Sequence, residues 1–283
     1  MKRPGKVAAW LAGLTALAAA GGGAFVYSGV YDIAATEQHT KAVYWLMDFT
    51  MRRSIAVRAD ESATPDMKRP EMIESGSRLY QAHCVQCHGG PGVSPDGAAL
   101  GMTPVPGYLV PTAREWTAAQ LHWVVKHGIK MTGMPAWKYR MSDEEIWQVV
   151  AFVKERLPYV TPVQYRDMVA RMEPVPERPR PEALAGAPQG DARAGMRAMD
   201  QYACATCHVI PGITGATKHV GPPLEGMASR SYIAGVLENS SENMVRWIMW
   251  PQRVSPITAM PDLGVTEQDA RDMTAFLATL KAK

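Results

Sequence analysis

The sequence predicts an all-α protein in which two helical domains of similar plan follow an N-terminal transmembrane helix. Three observations lead to this prediction: a long uncharged stretch near the N-terminus, a cysteine motif that occurs twice, and apolar residues that recur at helical spacing without a convincing strand pattern. We predict that residues 1–70 form an anchor with a flanking segment and that residues 71–166 form domain one. Residues 167–190 would then be a linker, and residues 191–283 domain two.

The first element is the uncharged run of 25 residues from Val7 to Tyr31. Its length suits a membrane-spanning helix, and the three basic residues before it would stay in the cytoplasm. A cleaved signal peptide is the alternative, because ALAAAGG offers small residues for cleavage. The run continues beyond the length of an ordinary signal peptide core, which favours an uncleaved anchor. Either interpretation exports the chain after Asp32.

The second element, EQHTKAVYWLMDFTMRRSIAVRA at 37–59, predicts an amphipathic helix. Such a helix could lie at the membrane surface or against a partner subunit. It could equally pack on domain one, and the sequence leaves both interpretations open.

Charge excludes one class of partner. The formal net charge of +3 matches the three basic residues that precede the apolar run, and the rest of the chain is balanced. A nucleic-acid-binding protein would need a net basic surface, so we expect no nucleic-acid partner.

The two domains share one predicted plan: a short helix that ends in the cysteine motif, a Gly/Pro-rich loop, a middle helix, a Met-Pro turn and a final helix. Ser142 with Glu145, and Thr266 with Asp269, are start signals for the two final helices. The segment 171–190 between the domains carries five prolines and few large apolar residues. It predicts an extended, semi-rigid linker that lets domain two reach a partner.

The repeated motif uses all four cysteines of the chain, in CVQCH (84–88) and CATCH (204–208). Cys-x-x-Cys-His is the attachment signature of c-type haem, in which both thiols bond to one porphyrin and the histidine binds its iron. A zinc site needs four ligands, whereas each pentapeptide offers three, and a redox dithiol would expect a βαβ context. We therefore predict two covalently bound haem c groups, with attachment and iron-binding residues Cys84, Cys87, His88, Cys204, Cys207 and His208.

Besides the histidine of the motif, a haem iron can take one further protein ligand. Whether that ligand is present decides whether substrate can reach the iron. Met134 and Met260 follow the two motifs, and each precedes a proline that fixes the backbone. Methionine paired with histidine is typical of cytochromes c and raises the reduction potential. Met131 is interpreted as packing, since no proline follows it. Met102 lacks a following proline too.

His122 and His127 are the alternative ligands in domain one, although His127 followed by glycine indicates the end of the middle helix. The loop GPPL (221–224) is expected to offer a backbone carbonyl to the other nitrogen of the iron-binding histidine in domain two. The segment TPVP (103–106) occupies the analogous place in domain one, where it could serve the same role or simply stiffen the loop.

With these motifs, residues 72–160 and 192–281 resemble class I cytochromes c, and the whole chain resembles a membrane-anchored dihaem member of that family. The resemblance rests on CVQCHGG with GMPAW, then on CATCH, GPPLEGMASR and AMPDLGVT. It implies two tandem class I cytochrome c domains with low-spin, six-coordinate iron, ligated by His88 with Met134 and by His208 with Met260. The N-terminal stretch resembles that of cytochromes c encoded with haem–copper terminal oxidases or with periplasmic dehydrogenases.

The predicted function is an electron carrier and not an enzyme: it would relay single electrons from the periplasmic side of the inner membrane to a respiratory complex, with a haem–copper terminal oxidase as the preferred acceptor. The alternative is the cytochrome subunit that accepts electrons from a periplasmic dehydrogenase. A dihaem peroxidase is a third hypothesis. It would require one iron with an open or releasable position, whereas each site here has its own methionine.

Overall fold

The computed structural model describes residues 4–174 and 190–281, so most of the predicted linker lies outside the described residues. These residues are mostly helical, which confirms the all-α prediction. The α-helices are α1 (Pro4–Ser28), α2 (Lys41–Ala56), α3 (Pro70–His83), α4 (Val85–His88), α5 (Gly97–Leu100), α6 (Leu109–Glu115), α7 (Ala118–His127), α8 (Asp143–Glu155), α9 (Pro162–Ala170), α10 (Ala192–Gln201), α11 (Ser241–Met249), α12 (Pro251–Val254) and α13 (Glu267–Leu277). Short 3-10 turns cover Glu61–Ala63, Trp137–Tyr139, Leu157–Tyr159, Cys204–Thr206 and Met227–Ser229.

Helix α1 contains the predicted apolar run. Its segment Lys6–Ser28 is long and apolar enough to cross a membrane, and none of its apolar window is buried against the rest of the chain. A signal sequence meets the same criteria of length and composition. The helix continues through three consecutive glycines and ends before Gly29, whose φ of +63° is the left-handed conformation that terminates helices.

Helix α2 divides into two parts. Tyr44, Trp45 and Phe49, in its first nine residues, are exposed, and the rings of Trp45 and Phe49 stack with centroids 5.6 Å apart. In its second half Ile55 is buried, and the Arg52 guanidinium lies 5.5 Å from the Trp116 ring centroid. The end of the helix therefore packs on domain one, while its aromatic start faces outward.

Each domain is built on a close crossing of its first and last helices. In domain one α3 crosses α8 at Gly76, where an added Cβ would lie 1.8 Å from the Gln148 carbonyl oxygen. In domain two α10 crosses α13 at Gly195, where an added Cβ would lie 1.9 Å from the Asp272 carbonyl oxygen. Only glycine allows backbones to approach this closely, so the same small residue positions the cysteine motif in both domains.

The predicted start signals of the final helices are confirmed. The Ser142 hydroxyl accepts from the Glu145 N–H while the Glu145 carboxylate accepts from the Ser142 N–H, a complete capping box for α8. The Thr266 hydroxyl caps α13 by accepting from the Asp269 N–H at 3.2 Å. Both helices then bury their apolar faces in the cores of their domains.

Two features differ from the sequence expectations. Residues Tyr232–Ile233 (β1) and Leu237–Glu238 (β2) pair as a short antiparallel hairpin, which is too brief to show an alternating pattern. Helix α9 continues past residue 166 to Ala170, and its Tyr165 is buried in the core of domain one. The helical part of domain one thus extends four residues beyond the expected boundary.

Candidate metal centres

The eight residues predicted to bind or attach a haem are all half-buried: Cys84, Cys87, His88, Met134, Cys204, Cys207, His208 and Met260. In domain one the motif begins at Cys84, the C-cap residue of α3, and continues through α4. In domain two it begins two residues after Tyr202, the C-cap residue of α10, and continues through a 3-10 turn. None of these four cysteines forms a disulfide bond.

Both motif histidines are held in the same way. The Nδ1 atom of His88 lies 2.8 Å from the carbonyl oxygen of Gly107, and that of His208 lies 2.7 Å from the carbonyl oxygen of Pro222. A carbonyl oxygen only accepts hydrogen bonds, so each imidazole carries its proton on Nδ1. The lone pair of Nε2 is then available for a metal. Burial lowers the pKa of His88, which further favours the neutral, metal-binding form.

The acceptor carbonyls can be compared with the loops expected from the sequence. Pro222 lies inside the expected GPPL loop of domain two. In domain one the acceptor is Gly107, which directly follows the expected segment 103–106. The expected segment thus ends one residue before the acceptor found in the structure. Loop geometry, and not residue type, decides which carbonyl faces the imidazole.

A glycine is required beside the second histidine. A Cβ added at Gly221 would lie 2.4 Å from Cε1 and 2.8 Å from Nδ1 of His208. Any side chain there would displace the imidazole from its carbonyl partner. The glycine of the GPPL loop is therefore explained by space for the ring.

The two methionine loops are also built alike. The Met134 N–H donates to the Thr132 hydroxyl at 3.1 Å, and the Met260 N–H donates to the Thr258 hydroxyl at 3.2 Å. The repeated pattern is thus Thr-x-Met-Pro, and its threonine is a functional position that the sequence comparison of the two halves could have shown. In domain one the loop also abuts Gly128, where an added Cβ would lie 2.7 Å from the Met134 carbonyl oxygen.

The structure distinguishes Met131 from Met102, the two other methionines considered as iron ligands in domain one. Met131 is 84% exposed with a φ of +60°, so the interpretation that it packs in the core is wrong. It lies in the left-handed conformation within a turn. Met102 lies near the candidate ligand, since a Cβ added at Gly133 would be 2.3 Å from the Met102 sulfur. Met102 is therefore the rival that requires an experimental test.

Comparison with protein families gives a match for each half of the chain. Residues 71–153 match the model of cytochrome c oxidase, cbb3-type, subunit III, and residues 192–281 match the model of cytochrome c. The chain belongs to the cytochrome c family. Each of these two domains contains one cysteine motif, one helix crossing at a glycine and one methionine loop.

Three curated relatives are similar to parts of this cytochrome. Cytochrome c oxidase subunit 2 of Alkalihalophilus pseudofirmus is 34% identical over 91 residues, or 32% of this chain and 26% of the relative. The corresponding subunit of Bacillus sp. (strain PS3) is 30% identical over 84 residues, or 28% of this chain and 24% of the relative. Quinohemoprotein alcohol dehydrogenase ADH IIB of Pseudomonas putida is 28% identical over 116 residues, or 40% of this chain and 14% of the relative. The matched regions thus span about a quarter or less of these relatives, and no solved structure matches the chain.

The residues of both cytochrome c domains fit a covalently bound haem better than a thiolate site. Burial raises the pKa of Cys84 to about 12 and that of Cys204 to about 11. Zinc binding and dithiol exchange both need thiolates, which a lowered pKa would favour. Within the described ranges, no group of three or more His, Cys, Asp or Glu side chains could hold a metal ion by itself.

A buried hydrogen-bond donor in domain two also supports the binding of a haem. The Trp250 indole N–H is buried and has no hydrogen-bond partner among the described residues. Such an orphaned donor is costly unless a ligand supplies an acceptor. The carboxylates of a haem are acceptors of this kind.

Proposed function

We propose that this cytochrome c is a membrane-tethered dihaem electron carrier of a respiratory chain. It would hold one haem c through Cys84, Cys87, His88 and Met134, and a second through Cys204, Cys207, His208 and Met260. A bound haem supplies one-electron redox chemistry. The protein would supply covalent attachment through the cysteines, a histidine nitrogen and a methionine sulfur for each iron, and exclusion of water.

The observation that carries the proposal is the duplicated arrangement of the two sites. Each motif histidine keeps Nε2 free through a carbonyl at Nδ1, and each methionine is held by a threonine two residues before it. With His88 and Met134 holding one iron, and His208 and Met260 holding the other, neither iron would keep a position for substrate. Such ligation favours electron exchange over substrate binding, and it argues against a dihaem peroxidase.

The preferred partner is a haem–copper terminal oxidase. Domain one matches a family model described as an oxidase subunit, and two of the relatives are oxidase subunits. The second candidate is a periplasmic dehydrogenase, from which the chain would accept electrons. That candidate is supported by the similarity to a quinohemoprotein alcohol dehydrogenase.

The membrane attachment would come from α1, with both domains on the periplasmic side of the inner membrane. The apolar segment Lys6–Ser28 supports a single span. The exposed aromatic residues of α2 begin 16 residues after that segment ends, close enough to reach the membrane surface. Tyrosine and tryptophan favour this interface, where one part of the ring is apolar and the other is hydrated.

The first experiment counts the haems and identifies their ligands. The intact chain, expressed with c-type haem maturation, should show the mass of two added haems and a reduced absorption spectrum of low-spin c-type haem. The oxidised protein should show the near-infrared band of methionine-ligated iron at both sites. A high-spin component in the oxidised protein would instead indicate an iron that lacks its methionine ligand, and it would favour the peroxidase hypothesis.

The second experiment identifies the partner. The full chain is purified from native membranes in mild detergent, and the co-purifying subunits are identified by mass spectrometry. Recovery of a haem–copper oxidase, together with oxidation of the reduced cytochrome by that complex, is expected. Recovery of a dehydrogenase that reduces the cytochrome would favour the second candidate.

A further inference from the structure

Domain one inserts a tyrosine into the core of domain two. Tyr139 belongs to the 3-10 turn Trp137–Tyr139, which follows the methionine loop of domain one. It is 9% exposed, and its neighbours are the buried residues of the domain-two core. Trp137 packs the opposite way, against the core of domain one, with its ring centroid 5.3 Å from that of His83. This turn is therefore shared by both domains.

The contact has specific polar and aromatic geometry. The Tyr202 hydroxyl lies 3.0 Å from the Tyr139 carbonyl oxygen and 2.9 Å from Oδ2 of Asp269. The rings of Tyr139 and Tyr202 meet edge to face with centroids 6.0 Å apart, an arrangement that aromatic pairs prefer. The Arg140 guanidinium lies 5.3 Å from the Tyr202 ring centroid, in the geometry of a cation–π contact.

The hydroxyl that joins the domains is a stable donor. Burial, and then the Asp269 carboxylate, raise the pKa of Tyr202 well above its usual range. Tyr202 therefore stays protonated at physiological pH. Its single proton serves two acceptors, one from each domain.

Each of the two tyrosines is close in sequence to a residue of a candidate haem site. Tyr139 lies five residues after Met134, and Tyr202 lies two residues before Cys204. Extended chain segments of these lengths span at most about 18 and 7 Å. In domain two the contact falls where the C-terminus of α10 meets the N-terminus of α13, next to the motif. A change in docking would therefore act on segments that bear haem-site residues in both domains.

We propose that Tyr139, Arg140, Tyr202 and Asp269 form a clasp that docks the two cytochrome c domains as one unit and links their haem sites. The docking itself stands on the contacts above, whereas its role in electron flow rests on the proposed function. One electron would pass across the clasp, oxidising one site and reducing the other, and no bond or proton would be exchanged. Exchange between the sites would then not require domain two to move freely on its linker.

Hydrogen–deuterium exchange on the full-length holoprotein in detergent tests the docking. Tyr202→Phe removes only the bridging hydroxyl and should accelerate exchange of residues 136–140 by about two- to tenfold, the net worth of one hydrogen bond. Tyr139→Ala removes the inserted ring from the domain-one side and should accelerate exchange around residues 202–206 by a larger factor. The controls are Tyr159→Ala and Tyr232→Phe, because both of these tyrosines are exposed. Unchanged exchange in both clasp variants would overturn the docking.

Electron equilibration between the sites, measured after flash reduction, tests the linkage. Both clasp variants should slow the first-order equilibration while the absorption spectrum of each haem stays unchanged, and the controls should match the wild type. An unchanged rate in a variant that has lost docking would overturn the linkage and leave the docking intact. Absence of two methionine-ligated haems in the wild type would contradict the proposed function, while the exchange result would still decide the docking.

Discussion

His208 is held between a carbonyl and a glycine: its Nδ1 atom lies 2.7 Å from the Pro222 carbonyl oxygen, and a Cβ added at Gly221 would lie 2.4 Å from its Cε1 atom. The loop therefore fixes both the proton and the position of the imidazole. This relationship connects a Gly-Pro-Pro stretch to the candidate iron ligand of domain two, and it leads to the first prediction.

Gly221→Ala should displace the imidazole or the loop and destabilise domain two by roughly 1–3 kcal/mol, as overpacked positions do. The measurement is the denaturant midpoint of domain two, followed together with the absorption of its haem. Gly97→Ala is the matched control, because an added Cβ at Gly97 meets nothing within 4 Å. Equal stability of both variants would show that the loop tolerates a side chain against the ring.

Met134→Leu should remove the methionine-ligand band of one haem and lower the reduction potential of that haem, since a thioether ligand raises it. The check is a redox titration followed in the visible and near-infrared. Met102→Leu is the decisive control, because the Met102 sulfur lies close to Gly133. Loss of the band in Met102→Leu but not in Met134→Leu would assign the ligand to Met102.

Thr258→Val should loosen the methionine loop of domain two, because the Met260 N–H would lose its partner. The lost hydrogen bond is worth about 1 kcal/mol, so added imidazole should displace the methionine with an apparent Kd about fivefold lower. Imidazole titrations followed by absorption measure this change. Thr112→Val is the control, since its hydroxyl donates to the carbonyl of Tyr108, the N-cap residue of its own helix. A Kd equal to that of the wild type would show that Thr258 does not hold the loop.

The stability of domain one should fall as pH decreases below about 6.5, the ordinary pKa of an imidazole. His122 stacks on Trp147, and its pKa is lowered, chiefly by burial, although the Asp143 carboxylate at 3.2 Å acts in the opposite direction. Lys126 and His127 also face this group and lower its pKa. The unfolded chain then binds more protons than the folded chain in this range, and stability rises with pH.

His122→Gln should therefore flatten the dependence of unfolding free energy on pH between about 5 and 7, where an imidazole titrates. Denaturant melts at a series of pH values provide the measurement. His219→Gln, at an exposed position in domain two, is the control for this measurement on domain one. An unchanged slope in His122→Gln would assign the effect to another group.

The sequence by itself determined the features that are local in the chain. Cys-x-x-Cys-His places two thiols and an imidazole within five residues, so the attachment chemistry can be recognised without a fold. The caps at Ser142 and Thr266 are likewise local, because a cap joins residues three apart. The all-α class followed from apolar spacing within single helices, and the structure confirms it.

The tertiary structure decided everything that depends on distant segments meeting. The packing of loops in space decides that His88 is paired with Gly107. It also decides that Met131 is exposed and that Met102 approaches Gly133. The insertion of Tyr139 beside Tyr202 joins residues 63 apart, and nothing in the local pattern around either tyrosine predicts the other. The cysteine motifs and the helix caps involve residues only a few positions apart, whereas these contacts arise only when packing brings separate segments together.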